Sequence, residues 1–445
     1  MLTGKKVLVL GLAKSGLAAV RLLRKLDAEV TVNEYKPLEK IDCLDELKEL
    51  GVEVIAGGHP DELFERDFDF VVKNPGIKYR MPFILRLQER KIPIYTEIEL
   101  GFQVAKPQHY LAITGTNGKT TTTTLVYEIM KKQYPNTFVA GNIGIPYCEV
   151  VLNNNLLESE GNYVVLEMSN FQLLNIEKFK PEVSTIINLT PDHLDYMASL
   201  DEYYASKTNI YENCDSNDTY LYNNDDPVCQ EYVGKYPTSA KMVTFSYMKD
   251  ADISVKENKV FAFGKEVYDL TNLKLVGKHN VQNVLIAIGF CLTMGVEVST
   301  IKDVIDHFGG VEHRIEFVRE LNGVKYYNDS KATNTDATII AVKSFTTEPL
   351  ILLLGGFDKG LDMAELNEYS KHSKINICFG VAGKRFVNEI DNAIYCENLK
   401  AATLKAYELA QKGDVVLLSP STSSYDEFTG YEQRGRVFKD IVNNL

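Results

Sequence analysis

Short apolar runs alternate with segments of helical periodicity along almost the whole chain, and this alternation constrains the fold more than any other feature. Lys5–Leu10 is predicted to be a buried strand, Gly11–Gly16 a turn and Leu17–Leu26 a helix. The same order restarts at the predicted strands Tyr110–Thr114 and Val324–Asn328. Strands that alternate with helices favour parallel sheets covered by helices, so we predict the α/β fold class.

Further strands are predicted at Glu29–Asn33, Phe68–Val72, Tyr163–Leu166, Val183–Asn188, Leu350–Leu354, Ile375–Phe379 and Val415–Leu418, and further helices at Thr120–Lys132 and Asn280–Thr293. A chain of 445 residues is too long for one hydrophobic core and suggests about three domains. The restarts of the alternation place the domains at 1–97, 98–310 and 311–445.

The composition excludes several classes of protein. A formal net charge of -13 repels nucleic acid and anionic membranes, so an anionic ligand needs locally placed Lys and Arg. The 7 cysteines are widely spread and form no CxxC pair, which favours reduced thiols in the cytoplasm. Met1–Leu10 leads straight into a predicted strand, so we expect no cleavable leader, and no apolar run nears the ~18 residues of a membrane span. We therefore expect a cytoplasmic protein without nucleic-acid partners or membrane insertion.

A glycine-containing loop follows the strand Tyr110–Thr114 and precedes a predicted helix. Its residues are Gly115, Thr116, Asn117, Gly118, Lys119, Thr120 and Thr121. In this context backbone N–H groups can surround phosphate oxygens, Lys119 can neutralise their charge, and Thr120 can offer its hydroxyl to Mg²⁺. The usual phosphate-loop pattern has Gly where this chain has Ile113. The alternative is an ordinary glycine turn before a helix.

A second glycine turn, Gly11–Gly16, resembles the dinucleotide-binding fingerprint, although Ala13 replaces its middle glycine. Glu34 at the end of the next strand could accept hydrogen bonds from a ribose or a base. A solvated strand end explains Glu34 equally well.

Several other polar residues follow predicted strands or begin helices. Glu167 and His193 are candidates to hold a divalent ion, because parallel strands end at one edge of a sheet. From the residues alone, Lys207 is interpreted as a solvated lysine on a helix. Asn280 and Asn283 share one helix face and could contact a base, although Asn280 could instead cap the helix.

Five motifs occur in a fixed order along the chain: Thr114–Thr121, Gly141-Asn142, Asp192-His193, Gly277–Asn280 and Glu312–Arg314. Together they resemble the Mur ligase family. Within it, Asn328–Asn334, Gly355–Gly360 and Ser419–Gly435 are similar to the members that add D-glutamate to UDP-N-acetylmuramoyl-L-alanine. The Asp-Asn-Pro-Arg motif of the members that add a third amino acid is absent. The chain departs from the pattern at Asn170, where a second serine usually follows Ser169.

The resemblance implies a Rossmann-like N-terminal domain for the UDP group, a central P-loop ATPase-type domain with a parallel sheet, and a Rossmann-like C-terminal domain that closes and brings the amino acid. It also implies ATP, two Mg²⁺ ions, an acyl-phosphate intermediate and a carbamylated lysine at Lys207. We expect a monomer that acts on ATP, D-glutamate and UDP-N-acetylmuramoyl-L-alanine.

The resemblance further implies a role for each matched residue. The catalytic residues would be Lys119, His193, Lys207 and Lys331, and the metal ligands Thr120, Glu167, His193 and Lys207 as its carbamate. ATP would be contacted by the loop Gly115–Thr121 and by Asn280, Asn283, Arg314 and Asp329. The UDP-substrate would lie near Gly11, Lys14, Ser15, Glu34, Asn74, Gly76, Asn142, Ser169 and His193. D-glutamate would be held by Lys331, Thr333, Lys359, Ser424, Tyr425 and Tyr431.

Three alternatives stay open at this point. A folylpolyglutamate synthase would share the central and C-terminal architecture, but the N-terminal unit around Gly11 and Glu34 disfavours it. An NAD-dependent oxidoreductase would use Gly11–Glu34 as its cofactor site, which Ala13 and the intact Gly118–Thr120 disfavour. A nucleotide-regulated binding protein without ligase turnover is the third.

Overall fold

The computed structural model describes residues 2–191, 197–345 and 347–445. Within these ranges the strands form three sheets. The chain packs as two compact units, one formed by Met1–Asp269 and Gln282–Val304, the other by Leu270–Val281 and Ile305–Leu445. The predicted α/β class is confirmed. The domain boundaries at residues 97 and 310 stay predictions.

The first sheet belongs to the first unit. Its elements are β1 (Lys6–Leu10), α1 (Lys14–Lys25), β2 (Glu29–Glu34), α2 (Leu44–Glu49), β3 (Glu53–Ala56), β4 (Phe70–Lys73), α3 (Pro82–Glu89), β5 (Ile94–Tyr95) and the following α4 (Glu97–Val104). The strand order is β3-β2-β1-β4-β5, and all pairs are parallel. The order reverses between β1 and β4, which is where open α/β sheets bind ligands.

Helix α1 begins at Lys14, so the predicted start at Leu17 is wrong. Gly16 therefore lies inside the helix rather than in the turn. A Cβ added at Gly16 would lie 1.9 Å from the carbonyl oxygen of Gly11. The missing side chain is what lets the first turn of α1 pack against the loop that follows β1, as the third glycine of a dinucleotide fingerprint does.

The second sheet lies in the same unit. Its elements are β6 (His109–Thr114), α5 (Lys119–Gln133), β7 (Thr137–Gly141), α6 (Tyr147–Asn153), β8 (Tyr163–Glu167), α7 (Asn170–Leu173), β9 (Val183–Ile186), α8 (Leu200–Thr208), β10 (Thr219–Asn223), α9 (Pro227–Lys235), β11 (Lys241–Ser246), β12 (Ile253–Lys256), β13 (Lys259–Ala262) and β14 (Lys265–Asp269), followed by the helices α10 (Lys278–Thr293) and α11 (Val298–His307). The order is β14-β13-β12-β11-β10-β9-β6-β8-β7. Strands β9, β6 and β8 are neighbours and parallel, so the loops after them meet at one edge.

The antiparallel strands β12, β13 and β14 extend this sheet and were not predicted from the sequence. The turn between β12 and β13 has positive φ at Glu257 (48°) and Asn258 (61°). This is the backbone pattern of a type I′ hairpin turn. The pair Glu-Asn gives a much weaker sequence signal for such a turn than Asn-Gly does.

The first and second sheets share one hydrophobic core, which contains Val7 and Val9 of β1 as well as Tyr110 and Ala112 of β6. Glu97, at the start of α4, is buried where α4 meets α6. Its Oε2 accepts a hydrogen bond from the N–H of Cys148 (2.9 Å), and burial raises its pKa to about 7. The first 97 residues therefore pack as part of a larger unit.

The third sheet belongs to the second unit. Its elements are β15 (Glu316–Leu321), β16 (Val324–Asn328), α12 (Thr335–Lys343), β17 (Leu350–Gly355), α13 (Ala364–Ser370), β18 (Ile375–Phe379), α14 (Gly380–Glu389), β19 (Ala393–Cys396), α15 (Leu399–Leu409), β20 (Val415–Leu418) and α16 (Tyr431–Asn443). The order is β15-β16-β20-β17-β18-β19, antiparallel only between β15 and β16. Among the described residues, no helix is both long and apolar enough to cross a membrane.

Replacement of Gly16 tests the close packing of α1. Gly16→Ala should lower the free energy of unfolding by about 1–3 kcal/mol, because the new methyl group collides with the Gly11 carbonyl. Urea unfolding measures this. Gly234→Ala in α9 is the matched control, since a Cβ there meets nothing within 4 Å and should be neutral or slightly stabilising. Equal stability of the Gly16→Ala variant and the unmodified protein would contradict the packing argument.

Candidate active site

The predicted phosphate loop has the local structure that the sequence indicated, with β6 before it and α5 after it. Two of its glycines are required by geometry. Gly115 has a φ of 149°, and a Cβ there would lie 3.0 Å from the Cβ of Ile187. Gly118 has a φ of 84°, and its Cβ would lie 2.7 Å from the Oδ1 of Asn283. The loop thus has this shape because side chains are absent at both positions.

The segment that follows β9 holds the loop in place. The N–H of Thr116 donates to the carbonyl of Asn188 (3.0 Å), and the N–H of Asn117 donates to the Oδ1 of Asn188 (2.9 Å). Thr190 adds a bond from its N–H to the Oγ1 of Thr116 (3.0 Å). These contacts explain why β9 ends at Ile186 and not at the predicted Asn188. His193, a predicted catalytic residue and metal ligand, lies outside the described residues.

Two lysine ammonium groups share one carbonyl oxygen in the loop. The Nζ of Lys119 donates to the carbonyls of Gly115 (2.8 Å) and Thr116 (2.7 Å). The Nζ of Lys207, on α8, donates to the same Gly115 carbonyl (3.1 Å) and lies 4.7 Å from the centre of the Tyr203 ring. Lys207 is only 1% exposed, so its interpretation as a solvated lysine is wrong.

Glu167 ends β8, directly beside β6, where Ile113 and Glu167 are paired in register. Its side chain is buried, and its Oε1 accepts a hydrogen bond from the Nδ2 of Asn142 (2.8 Å). Its Oε2 is also buried and has no hydrogen-bond partner among the residues that the structure describes. A buried carboxylate oxygen without a donor is costly, and a cation removes that cost.

The donor set at this edge fits Mg²⁺. The ion prefers one or two protein oxygens together with water and substrate phosphates, so Glu167 and the Thr120 hydroxyl suffice on the protein side. The described residues contain no cluster of three or more His, Cys, Asp or Glu that could enclose a metal on its own.

Asn142 and Asn283 are held close to the loop residues. Gly141, before Asn142, has a φ of 100°, and a Cβ there would lie 2.2 Å from the carbonyl of Glu167. Asn283 accepts a hydrogen bond at its Oδ1 from the Thr122 hydroxyl of α5 (3.1 Å).

Asn280 belongs to the other compact unit and donates from its Nδ2 to the carbonyl of Val276 (2.7 Å). Because α10 begins at Lys278, Asn280 is not its cap.

Ser169, predicted to lie near the UDP-substrate, begins the short helix α7 and forms a capping box with Gln172. Asn170, which replaces the usual second serine, is buried, and its Nδ2 has no partner among the described residues. The substitution therefore places a buried amide donor next to Ser169.

A second crevice lies in the first sheet, at the carboxyl ends of β1 and β4. The carboxylate of Glu34 accepts hydrogen bonds from the N–H groups of Leu12 (2.7 Å) and Lys36 (3.0 Å). Glu34 is thus not a simple solvated strand end, because it holds the glycine turn. The Nδ2 of Asn74 donates to the Oγ of Ser15 (3.0 Å), and the Oδ1 of Asn74 accepts from the Gly76 N–H (3.0 Å).

A cavity of about 430 Å³ lies in this crevice. Four of its lining residues, Gly11, Lys14, Glu34 and Asn74, are predicted UDP-substrate residues. Two further lysines, Lys36 and Lys40, line it as well and were missed by the sequence analysis. The sequence gives only weak evidence that these two lysines line a site, because single lysines near a predicted strand end are usually solvated.

In the second unit, most of the residues predicted to bind D-glutamate follow the carboxyl ends of β16, β20 and β17. Asp329, just after β16, accepts hydrogen bonds from the Ser419 hydroxyl (2.7 Å) and the Ile315 N–H (3.2 Å). Burial raises its pKa to about 7. Arg314 lies between His313 and Ile315, whose φ angles of 65° and 42° form a sharp turn.

The predicted D-glutamate residues of this unit fall into two contacting pairs. The Nζ of Lys331 lies 5.5 Å from the centre of the Tyr431 ring, and the Nζ of Lys359 donates to the carbonyl of Thr333 (3.1 Å). Ser424 is buried, whereas Tyr425 is 71% exposed. The structure brings the first four together in pairs and leaves the Tyr425 ring in solvent.

Three family models match the chain. They are the "Mur ligase MurD-like, N-terminal domain" over residues 5–96, the "Mur ligase middle domain" over residues 113–291 and the "Mur ligase, glutamate ligase domain" over residues 313–422. The UDP-N-acetylmuramoylalanine--D-glutamate ligase of Bacillus mycoides is 41% identical over 448 residues, which cover 99% of this chain and 98% of the relative. The enzyme of the same name from Geobacillus kaustophilus is 38% identical over 446 residues, again covering 99% and 98%.

The chain belongs to the Mur ligase family.

Solved structures agree on the fold of this Mur ligase. The UDP-N-acetylmuramate-alanine ligase of Thermotoga maritima aligns with a TM-score of 0.54 at 18% identity and covers 99% of both chains. A UDP-N-acetylmuramoyl-L-alanyl-D-glutamate--2,6-diaminopimelate ligase aligns with a TM-score of 0.58 at 16% identity, over 93% of this chain and 92% of its own. The three-domain α/β fold class predicted from the motifs is confirmed.

Arg434 lies near the end of the motif Ser419–Gly435, but the sequence alone assigned it no role. It is fully buried in α16 and donates from Nε to the Ser330 hydroxyl (3.0 Å), from Nη2 to the Ser330 carbonyl (2.9 Å) and from Nη1 to the Gly355 carbonyl (3.3 Å). It thereby connects the segments that follow β16 and β17. The available signal was its spacing, since Arg434, Phe438 and Val442 lie four residues apart on one buried helix face.

Asp329 gives the Mur ligase a pH-dependent stability. Its folded pKa of about 7 lies above the ordinary 3.8, so the folded state holds the proton more tightly. Its contribution is therefore fully present below about pH 4 and is lost as the pH rises through 7. Asp329→Asn cannot ionise at this position. The free energy of unfolding of this variant, relative to that of the unmodified protein, should therefore increase by about 1–3 kcal/mol from pH 4.5 to pH 8. Urea midpoints at both pH values measure this, with the exposed Asp440→Asn as control. A pH-independent difference would contradict the assignment.

Proposed function

We propose that this Mur ligase joins D-glutamate to the L-alanine carboxylate of UDP-N-acetylmuramoyl-L-alanine, with conversion of ATP to ADP and phosphate, in the synthesis of peptidoglycan precursors. The observation that carries the proposal is the full-length relationship to ligases named for this reaction, at 38% and 41% identity over 99% of the chain. The phosphate loop of the second sheet and the crevice of the first sheet supply matching local sites.

A carboxylate does not acylate an amine in water, because its oxygen is a poor leaving group. The terminal carboxylate of the UDP-substrate would therefore first attack the γ-phosphate of ATP, giving an acyl phosphate and ADP. Carboxylate and triphosphate repel each other, so the site must supply positive charge. Lys119 is placed for this role, because its ammonium group already lies against the carbonyls of the phosphate loop at 2.8 and 2.7 Å. On binding, phosphate oxygens would replace those carbonyls.

Glu167 and Thr120 would hold Mg²⁺, and bound Mg²⁺ would neutralise charge on the phosphates. The fit rests on the buried and unpartnered Oε2 of Glu167. Asn142 fixes the carboxylate through the other oxygen at 2.8 Å. This hydrogen bond orients Glu167 so that its Oε2 stays available to a cation.

Lys207 would act as a carbamate. The supporting observations are its burial and its position at the Gly115 carbonyl. Carbamylation would turn a second cation at this carbonyl into a carboxylate-like ligand for a metal ion. The positions of His193 at the metal, of Asn280, Asn283, Arg314 and Asp329 at the nucleotide, and the monomeric and cytoplasmic state stay predictions.

The amine of D-glutamate would then attack the acyl phosphate and expel phosphate through a tetrahedral intermediate. Lys359 is proposed to bind the side-chain carboxylate of D-glutamate, and Lys331, Thr333, Ser424 and Tyr431 to complete the pocket. The ammonium group of Lys359 contacts the Thr333 carbonyl at 3.1 Å, so it is already directed toward a second pocket residue.

The alternative functions are not favoured. A folylpolyglutamate synthase or an NAD-dependent oxidoreductase would not account for full-length relatives named as D-glutamate ligases. A binding protein without turnover would not account for those full-length relatives either, since they are named as ligases.

Phosphate release tests the proposal directly. With UDP-N-acetylmuramoyl-L-alanine, ATP and Mg²⁺, D-glutamate should support turnover, and L-glutamate, L-lysine and meso-diaminopimelate should not. Removal of Mg²⁺ by EDTA should stop the reaction, and added Mg²⁺ should restore it. Turnover with a folate acceptor, or with another amino acid in place of D-glutamate, would reject the proposed function.

Lys207→Ala tests the carbamate. We expect activity to fall at least about a hundredfold, because a carboxylate-like ligand of the metal ion would be lost. Short-chain carboxylic acids should restore part of it by supplying the missing carboxylate. Lys235→Ala is the matched control, since Lys235 also lies over a tyrosine ring, at 4.5 Å from the Tyr232 centre, but on the surface. Full activity of the Lys207→Ala variant without added acid would show that the lysine has no catalytic part.

A further inference from the structure

Lys73 is a buried lysine that none of the roles described so far uses. It ends β4 after the apolar residues Phe70, Val71 and Val72 and is 1% exposed. Its Nζ donates to the carbonyls of Ile77 (2.9 Å) and Asn74 (3.3 Å). Lysines are almost never fully buried unless their charge is compensated, so this position requires an explanation.

Both carbonyl acceptors belong to the wall of the cavity in the first sheet. Asn74 and Ile77 line that cavity, opposite the turn that begins at Gly11. The Asn74 N–H donates to the carbonyl of Leu10 (2.9 Å), and the Asn74 side chain reaches Ser15 (3.0 Å). The ammonium group of Lys73 therefore lies one residue layer behind the surface that a ligand would contact.

The face of β4 that carries Lys73 is otherwise apolar. Val71, two residues earlier and hence on the same face, belongs to a core cluster with Leu8, Leu10 and Phe83. Burial lowers the pKa of Lys73 to about 8, so most of the molecules carry the charge at neutral pH. The carbonyls offset part of the cost of this buried charge. An anion in the cavity would offset more.

We propose that Lys73 is a positioning residue for the diphosphate of the UDP-linked substrate: it holds the Asn74–Ile77 wall in place and puts a positive charge behind it. This inference rests on the proposed function, because it takes the ligand of the cavity to be a nucleoside diphosphate. It differs from a purely structural role in one respect. A structural lysine would affect all ligands of the cavity alike, whereas a charge behind the wall favours ligands in proportion to their negative charge.

The test compares ligands of increasing charge. Uridine, UMP and UDP are titrated into the full-length protein and into its Lys73→Met variant by ligand-detected NMR. Met keeps most of the stem and removes the ammonium group. We expect UDP affinity to fall roughly tenfold, UMP affinity less, and uridine affinity by no more than about twofold. Lys48→Met, at an exposed lysine of the same sheet region, is the control and should leave all three affinities unchanged.

The outcomes separate the two proposals. Equal weakening of the three ligands, or no weakening, would overturn the role of Lys73 and leave the proposed function standing. Failure of the unmodified protein to bind any of the three would overturn this inference, because the cavity would then not hold a nucleoside diphosphate, whereas the proposed function is rejected only by the phosphate-release assay. In turnover, Lys73→Met should raise the KM of the UDP-substrate and leave the KM of ATP unchanged. If Lys73→Met does not fold, Lys73→Arg replaces it, and a loss of the preference for UDP over uridine in that charged variant would overturn the proposal.

Discussion

The chemistry at the edge of the second sheet depends on the carbonyl oxygen of Gly115. Two ammonium groups, from Lys119 and Lys207, approach it at 2.8 and 3.1 Å. Like charges repel, so such a pair is stable only where acceptors and anions compensate it. The loop carbonyls supply part of that compensation in the protein itself. The repulsion that the carbonyls leave uncompensated is the chemical reason to expect phosphate at the loop and a modified nitrogen on Lys207.

The parallel sheets explain how residues distant in sequence come to share this edge. Strands β9, β6 and β8 are neighbours, so the segment containing Asn188, the phosphate loop and Glu167 follow one another along the sheet. The same rule applies in the other sheets, where Gly11 and Asn74 meet after β1 and β4, and Asp329 and Ser419 meet after β16 and β20. Each site therefore depends on strand order rather than on sequence proximity.

The sequence predicted those features that are locally encoded. The strand, loop and helix around Gly115–Thr121 were predicted because their residue types act within a few positions of one another. Lys207 was misread from the residues alone because its burial depends on where α8 packs, which no local pattern records. The hairpin of β12 and β13 was missed because Glu257 and Asn258 lack the glycine that usually marks such a turn. Arg434 was part of a matching motif but received no role, because a charged residue in a helix is expected in solvent, and only its partners Ser330 and Gly355 reveal its burial.

The common core of the first and second sheets has a consequence for substrate recognition. Because β1 and β6 contribute to one hydrophobic cluster, the separation between the crevice beside Gly11 and the phosphate loop is set by packed side chains and not by a linker. If the crevice binds the uridine end of a substrate, the fixed separation of the two sites selects substrates by their length. A molecule that is too short would leave its carboxylate away from the γ-phosphate, however well its nucleotide is bound. Substrate length then becomes a criterion of selection in its own right, independent of the chemical groups at either end.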